Sequence, residues 1–462
     1  MRTSDSLPVA VIGAGPIGLA AAAHLSAGGQ PFIVLEAGDG VAASVRSWGH
    51  VRVFSPWRYN VDEVAVSLLA EQGWTAPALD GFPTGNEFID LYLAPLAEHP
   101  AIAPSLRFGS TVQSISRVGL DKLKSEGRET APFEITFLVN GNLQRILARA
   151  VIDASGTYRS PNPLGSGGVP ARGEAEASDR VFYGIPDILG GHRPRYSGKR
   201  VLVIGSGHSA FNALQDLSEL AGAGTVITWA IRGQAPDGQY GGGPADQLPR
   251  RGELGLSIRQ LVSGGTIQVE TGFHADEVTE TAAGLVVSAA GRSLPAVDEV
   301  IVATGFRPDL AMTRELRLQL DEVVESPLAL APLIDPNLHS CGTVPPHGAA
   351  QLRHPEPDFY TVGMKSYGRA PTFLMLTGYE QVRSVVAALS GDLAGSLDVR
   401  LVLPETGVCN GPAADEGEGC CGGPAPTGVE ACCALDAEAK AEGEPGCGCG
   451  PQTPERQLIT IE

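Results

Sequence analysis

Two glycine clusters carry the spacing that holds a diphosphate. Gly13-Ala14-Gly15-Pro16-Ile17-Gly18 follows the apolar run Val9–Ile12 and precedes an alanine-rich stretch, Leu19–Leu25. In a strand, turn and helix of this kind the first glycine permits the tight turn and the second lets the backbone approach a pyrophosphate. The third lets helix and strand pack closely, with the helix N-terminus facing the phosphates. A second apolar run, Phe32–Leu35, ends in Glu36, eighteen residues after Gly18. A carboxylate there accepts hydrogen bonds from both hydroxyls of an adenosine ribose and repels a 2′-phosphate. Gly205-Ser206-Gly207-His208-Ser209-Ala210 repeats the pattern after Lys199–Ile204, with alanine in the third place, which the pattern tolerates. The next strand, Thr225–Ile231, ends in Arg232, which can pair with a 2′-phosphate and stack on adenine. Arg250 and Arg251 are other cations open to that phosphate. An acidic first site and a basic second one read as FAD followed by NADPH, and so as hydride transfer from nicotinamide to flavin.

Such turns must be carried by parallel sheets. The expected fold is α/β, with two Rossmann-like dinucleotide-binding domains, the FAD domain being interrupted by an inserted NADPH domain. The boundaries read as 1–172 and 299–403 for the FAD domain, 173–298 for the insert, and 404–462 for an acidic, flexible tail rich in Gly, Pro and Cys. Val151–Gly156 and Val300–Gly305 are apolar strands ending in small-residue turns, and they mark where the chain leaves and re-enters the FAD domain. Further cofactor contacts are expected from Ala37, Trp48, Arg52, Val112, Ala154, Ser155, Gly156, Thr304, Gly305, Gly363 and Thr372. Phe359–Gly363 is a strand reaching a glycine turn, and Arg369–Thr372 opens a helix over 373–389 whose N-terminus faces the flavin pyrimidine. The segment Val53–Asn60 is the expected flavin-facing loop, with Ser55 and Asn60 as catalytic candidates. Trp48, Trp57 and Tyr59 either wall the ring or pack in the core.

The chain has 462 residues and a net charge of −19, of which residues 404–462 carry −9. It has no Lys/Arg run, which disfavours nucleic acid as a partner. No uninterrupted apolar stretch reaches the roughly 18 residues of a membrane span. Met1–Pro8 lacks a cleavable signal pattern, so a cytoplasmic location with reduced thiols is expected. Seven of the eight cysteines, Cys409, Cys420, Cys421, Cys432, Cys433, Cys447 and Cys449, lie in the tail without His or CxxC spacing. Vicinal thiols on a flexible segment suit a soft ion, Cu(I), Zn(II), Cd(II) or trivalent arsenic as arsenite, better than a closed zinc site.

The sequence resembles the flavin-containing monooxygenases. Phe182-Tyr183-Gly184 followed by His192-Arg193-Pro194-Arg195-Tyr196 is similar to that family's FxGxxxH fingerprint, although seven residues separate Gly184 from His192 where the family has three. Tyr196 is closer to the monooxygenases than to the Baeyer–Villiger branch, which usually has Trp there. Residues 81–90 resemble the family's Tyr-Pro-Thr-Lys stretch, and Ala303-Thr304-Gly305-Phe306 its Ala-Thr-Gly-Tyr element; the likeness spans about the first 390 residues. It implies a small-molecule substrate and O2 as partners, with a C4a-hydroperoxyflavin attacked by a soft nucleophile or an amine and NADP⁺ retained as a lid. The family's active-site Asn has no obvious counterpart. The tail resembles Cys-pair extensions on proteins of bacterial arsenic-resistance operons, and the body resembles the flavin monooxygenase of such operons, which implies an arsenical substrate. A disulfide reductase would share both sites but needs a Cys pair beside the flavin. Residues 37–60 and 173–300 contain no Cys, and Cys341 stands alone. Two alternatives stay open: a reductase that uses the tail thiols, and a metalloid-binding flavoprotein without turnover.

Overall fold

A computed structural model describes residues 6–241, 243, 246, 248–338, 344–371 and 373–401. Two five-stranded parallel sheets form the frame. The first runs in the order Phe359–Thr361, Ala150–Asp153, Val9–Ile12, Phe32–Leu35, Leu106–Arg107. Val9–Ile12 and Ala150–Asp153 are buried at every position, so their apolar residues need cover on both faces, the usual condition of a parallel sheet. One cover is the helix Pro16–Ala27, opened by Pro at its first turn and closed at Gly28. Its run Leu19–Ala23 is wholly buried, and the small alanines let the helix Met375–Leu389 pack directly against it.

The second sheet runs Ile267–Glu270, Val226–Ala230, Arg200–Ile204, Glu299–Val302, Val181–Tyr183. Helices His208–Ser218 and Pro249–Ser263 pack together beside it. Two antiparallel three-stranded sheets complete the architecture: Ser110–Arg117 with Phe133–Val139 and Asn142–Ala148, and Glu277–Thr281 with Gly284–Ala289 and Arg292–Ser293.

Register decides where the turns gather. Ile12 pairs with Leu35 and with Asp153, and Asp153 pairs with Thr361, so these four strands end level. Gly13, Glu36, Ala154 and Val362 therefore leave one carboxyl edge together. In the second sheet Ile204 pairs with Ala230 and Val302, and Val302 with Tyr183, which aligns Gly205, Ile231, Ala303 and Gly184 in the same way. Ligand turns at the carboxyl ends of parallel strands are what this topology provides.

The strand at the expected re-entry point pairs in the second sheet, and the chain meets the first domain's core soon after it, where Leu316 packs with Ile12, Leu35 and Val151. Glu299–Val302 joins the second sheet between Arg200–Ile204 and Val181–Tyr183, and the chain returns to the first sheet only with Phe359–Thr361. A four-residue apolar strand ending in small residues has the same sequence signature in either sheet, so local pattern could not separate them. The helix expected over 373–389 begins at Met375, preceded by a single 3₁₀ turn over Gly363–Tyr367. No helix among the described residues is long and apolar enough to cross a membrane.

Candidate dinucleotide sites

At the first turn, Gly13 has φ of +99°, a conformation that favours glycine. A Cβ on Gly18 would stand 1.9 Å from the Gly13 carbonyl oxygen, so only glycine admits the close helix-to-turn contact. Gly15 is different: nothing lies within 4 Å of where its Cβ would be. It is also the N-cap of Pro16–Ala27, with no side-chain cap, so the first helical amides face that open space. Glu36 is fixed beside it, Oε2 accepting from the Ala14 amide and Oε1 from the Gly38 amide, both at 2.7 Å. An open backbone cradle under a helix N-terminus, with an anchored carboxylate at the neighbouring strand end, fits the pyrophosphate and ribose of FAD.

Of the other expected flavin contacts, Ala37, Gly156 and Gly363 fall on or beside this edge. Ala37 follows Glu36, and Gly156 has open space where a side chain would stand. Gly363 packs against the first turn, with the Ile17 Cγ1 3.0 Å from where its Cβ would be. Val112 sits at an irregularity of the strand Ser110–Arg117. Trp48 packs on the core beside Gly85. Thr372 lies outside the described residues.

One site residue was not foreseen. Lys365, in the turn after Phe359–Thr361, places Nζ 2.8 Å from Asp153 Oδ2 and donates to Ser155 Oγ at 3.0 Å. Ser155 in turn donates its hydroxyl and amide to Asp153 Oδ1. Lysine and aspartate are almost completely buried, so this triad locks the Ala154-Ser155-Gly156 turn to the Gly363 turn. The available signal was a lysine directly after an apolar strand and its glycine turn.

Ser55 and Asn60 brace the loop that carries them. Ser55 Oγ donates to Asn60 Oδ1 at 2.9 Å, and Asn60 Nδ2 donates to the carbonyls of Ser55 and Pro56. Both are buried and their polar groups are engaged within the loop, where they fix its path. Trp57 belongs to the core, edge-on to Phe88.

The second turn repeats the first. Gly205 has φ of +129°, and a Cβ there would meet the Ala303 carbonyl oxygen at 2.3 Å. The Ala303-Thr304-Gly305 turn thus lies against it, tied back through Thr304 Oγ1 to the Asn162 carbonyl at 3.0 Å. Gly207, the uncapped N-cap of His208–Ser218, again faces open space, flanked by Ser206 and Ser209. Arg232 is exposed and has no ion-pair partner among the described residues, as a phosphate ligand requires. Arg251 is instead bound to Asp246 in a buried pair at 2.7 Å, which removes it as a phosphate partner. Arg250 lies over the Phe82 ring, 5.6 Å from its centroid.

The two domains meet at His208, whose ring lies 5.1 Å from that of Phe54 in the loop Val53–Asn60. Burial, reinforced by the Arg251 charge and offset in part by Asp246, pushes the His208 imidazole down to about 4. The ring at the junction is therefore neutral near pH 7. The long interval of the fingerprint also closes: the Asp187 carboxylate accepts from the Gly190 and Gly191 amides, and His192 Nδ1 accepts from the Asp187 amide. This seats His192 edge-on to Phe182 at 5.3 Å.

No group of three or more His, Cys, Asp or Glu able to hold a metal occurs among the described residues. Cys341 and the seven tail cysteines lie outside them.

Comparison with known proteins agrees with this architecture. Residues 8–94 match the family of FAD dependent oxidoreductases, and residues 128–329 match the pyridine nucleotide-disulphide oxidoreductases. The chain is 28% identical over 226 residues to the indole-3-pyruvate monooxygenase YUCCA1 of Oryza sativa, covering 47% of this chain and 46% of that protein. It spans less than half the length of the curated relatives it matches. Among solved structures, the bacillithiol disulfide reductase of Bacillus cereus superposes with a TM-score of 0.62 at 20% identity, over 84% of this chain and 99% of that one. The flavin-containing monooxygenase of Stenotrophomonas maltophilia superposes with 0.53 at 22% identity, over the same shares. With both cradles present, the chain is similar over its first part to the FAD dependent oxidoreductases and over 128–329 to the pyridine nucleotide-disulphide oxidoreductases, with flavin monooxygenases among the proteins it resembles.

Proposed function

We propose that this enzyme is an NADPH-driven monooxygenase that inserts oxygen at a soft heteroatom, with an arsenical as the substrate. The observation that carries the choice of oxygen over disulfide is that the first 340 residues, which hold both dinucleotide turns, contain no cysteine. Bound FAD supplies a two-electron acceptor for NADPH and, once reduced, a reaction with oxygen. The chain's own residues do the rest. Glu36 would accept the ribose hydroxyls, the amides behind Gly15 and Gly207 would receive the pyrophosphates, and Arg232 would pair with the 2′-phosphate. Lys365 and Asp153 hold the Ser155 turn against the Gly363 turn, and Phe54 packed on neutral His208 would help to exclude water where the two domains meet. Monooxygenases of indole-3-pyruvate and dimethylaniline among the relatives support an oxygenating reading. The arsenical is supported by the tail composition, because trivalent arsenic takes soft thiolate ligands.

Oxygen uptake by the purified holoenzyme with NADPH tests this reading. A trivalent arsenical should accelerate uptake and leave an oxidised, pentavalent product. Uptake unchanged by the arsenical would remove that substrate, and NADPH oxidation without any oxygen uptake would remove the oxygenase.

A further inference from the structure

Between the two domains lies a cavity of about 310 Å³ that neither dinucleotide turn occupies. One wall is the FAD-domain loop, with Arg52 and Phe54; the other is two helices of the second domain, with Asn212, Gln215, Arg250 and Leu254. Arg250, Leu254 and Ser257 recur at three- to four-residue intervals, so a single face of Pro249–Ser263 is turned to the cavity. Asn212 and Gln215 follow His208 on one face of their helix, five and eight residues beyond Gly207, which is roughly 8–12 Å along the axis. Phe54, which lines the cavity, also meets the ring of His208 at the first position of that helix, 5.1 Å between centroids.

The chemistry of the walls is that of a site for a small organic acid. Arg52 donates to the Phe82 carbonyl and meets Glu87 at 3.3 Å on the exposed side, which partly neutralises it. Glu253 adds a second carboxylate to the lining. Arg250 has only the Phe82 ring as a partner among the described residues, with no carboxylate within ion-pair distance, and is the guanidinium left for a ligand. A guanidinium that lacks a carboxylate selects a planar anion that accepts bidentate hydrogen bonds; Gln215 lines the same cavity, while Asn212 Nδ2 donates to the His208 carbonyl at 2.8 Å. Phe54 and Leu254 supply an apolar surface for the body of the same ligand. We infer that this cavity binds a small carboxylate with an apolar or aromatic body, its anionic end on Arg250 and its ring against Phe54, so that the ligand bridges the two domains. This ligand is distinct from the arsenical of the oxygenating reading, and its binding does not rest on that reading.

Calorimetric titration of the full-length holoenzyme with benzoate, benzamide and inorganic phosphate tests the inference. Benzoate should bind, benzamide and phosphate about tenfold more weakly or not at all, and saturating NADP⁺ should leave benzoate affinity unchanged. Arg250→Gln, at an exposed position, should lower benzoate affinity about tenfold, the size of one charge-assisted hydrogen bond, with FAD content intact. Ser257→Phe should fill the cavity and abolish binding without touching the guanidinium. No benzoate binding, equal affinity for benzamide or phosphate, insensitivity to both variants, or displacement by NADP⁺ would each overturn it. The oxygenase reading fails separately, through absent NADPH-dependent oxygen uptake.

Discussion

Lys365 and Asp153 form a buried ion pair, 2.8 Å from Nζ to Oδ2, between two turns that are 212 residues apart in the chain. The pair fixes the Ser155 turn against the Gly363 turn, and both turns flank the expected flavin position. Removing one partner leaves the other charge buried without compensation, at a cost of about 3–5 kcal/mol. Lys365→Met should accordingly lower the unfolding free energy by that amount and release FAD. The double variant with Asp153→Asn should recover part of the stability. If Lys365→Met melts like the parent and keeps its flavin, the pair has no organising part.

The first glycine turn separates packing from binding. Gly15→Val places its side chain where no protein atom lies within 4 Å, so the apoprotein should fold with parental circular dichroism but fail to retain FAD. Gly18→Ala drives a methyl into the Gly13 carbonyl oxygen and should destabilise the fold itself. Identical behaviour of the two variants would contradict the assignment of Gly15 as the pyrophosphate cradle.

For the second turn, Arg232→Ala should raise the KM for NADPH about tenfold or more, the magnitude of a lost charge-assisted phosphate contact, and leave that for NADH nearly unchanged. Equal effects on both nucleotides would move the 2′-phosphate site elsewhere.

Acid stability carries a signed prediction. His208 and His354 are pushed down to about 4, chiefly by burial, so the folded state binds fewer protons there than the unfolded chain. Their contribution is complete above an unfolded value near 6.5 and is lost as pH falls toward about 4. Asp216 works in the opposite sense. Burial, with Asp187 and Glu219 nearby, raises it to about 6, so it contributes below its ordinary 3.8 and loses that contribution as pH rises through about 6. Between pH 6.5 and 4, His208→Gln should flatten the fall in Tm and Asp216→Asn should steepen it. Unchanged slopes in both variants would contradict these assignments.

The glycine turns, the strand before each, and Glu36 were legible because neighbouring residues carry them. The contacts that assemble the site were not. Lys365 needs Asp153, and Phe54 needs His208; each pair exists only because sheet register and domain docking bring distant turns together. The same holds for Glu356, which accepts from Arg117 and Arg128 across 239 and 228 residues in a buried cluster that ties the first antiparallel sheet to the strand Phe359–Thr361. Ser55 and Asn60 read as candidates for chemistry because a polar residue in a cofactor-facing loop looks the same whether it turns outward or bonds to its own backbone. Arg250 and Arg251 are adjacent in sequence, yet one enters a buried ion pair and the other faces the interdomain cavity, a difference set by their helix facing.

In the proposed reaction, electrons from NADPH pass through the flavin to oxygen without a protein thiol. A full-length variant with all eight cysteines changed to serine, loaded with FAD, tests this directly in an oxygen electrode with NADPH. Oxygen uptake under NADPH should match that of the parent. Loss of that uptake, together with reduction of a disulfide substrate by the parent enzyme alone, would contradict it.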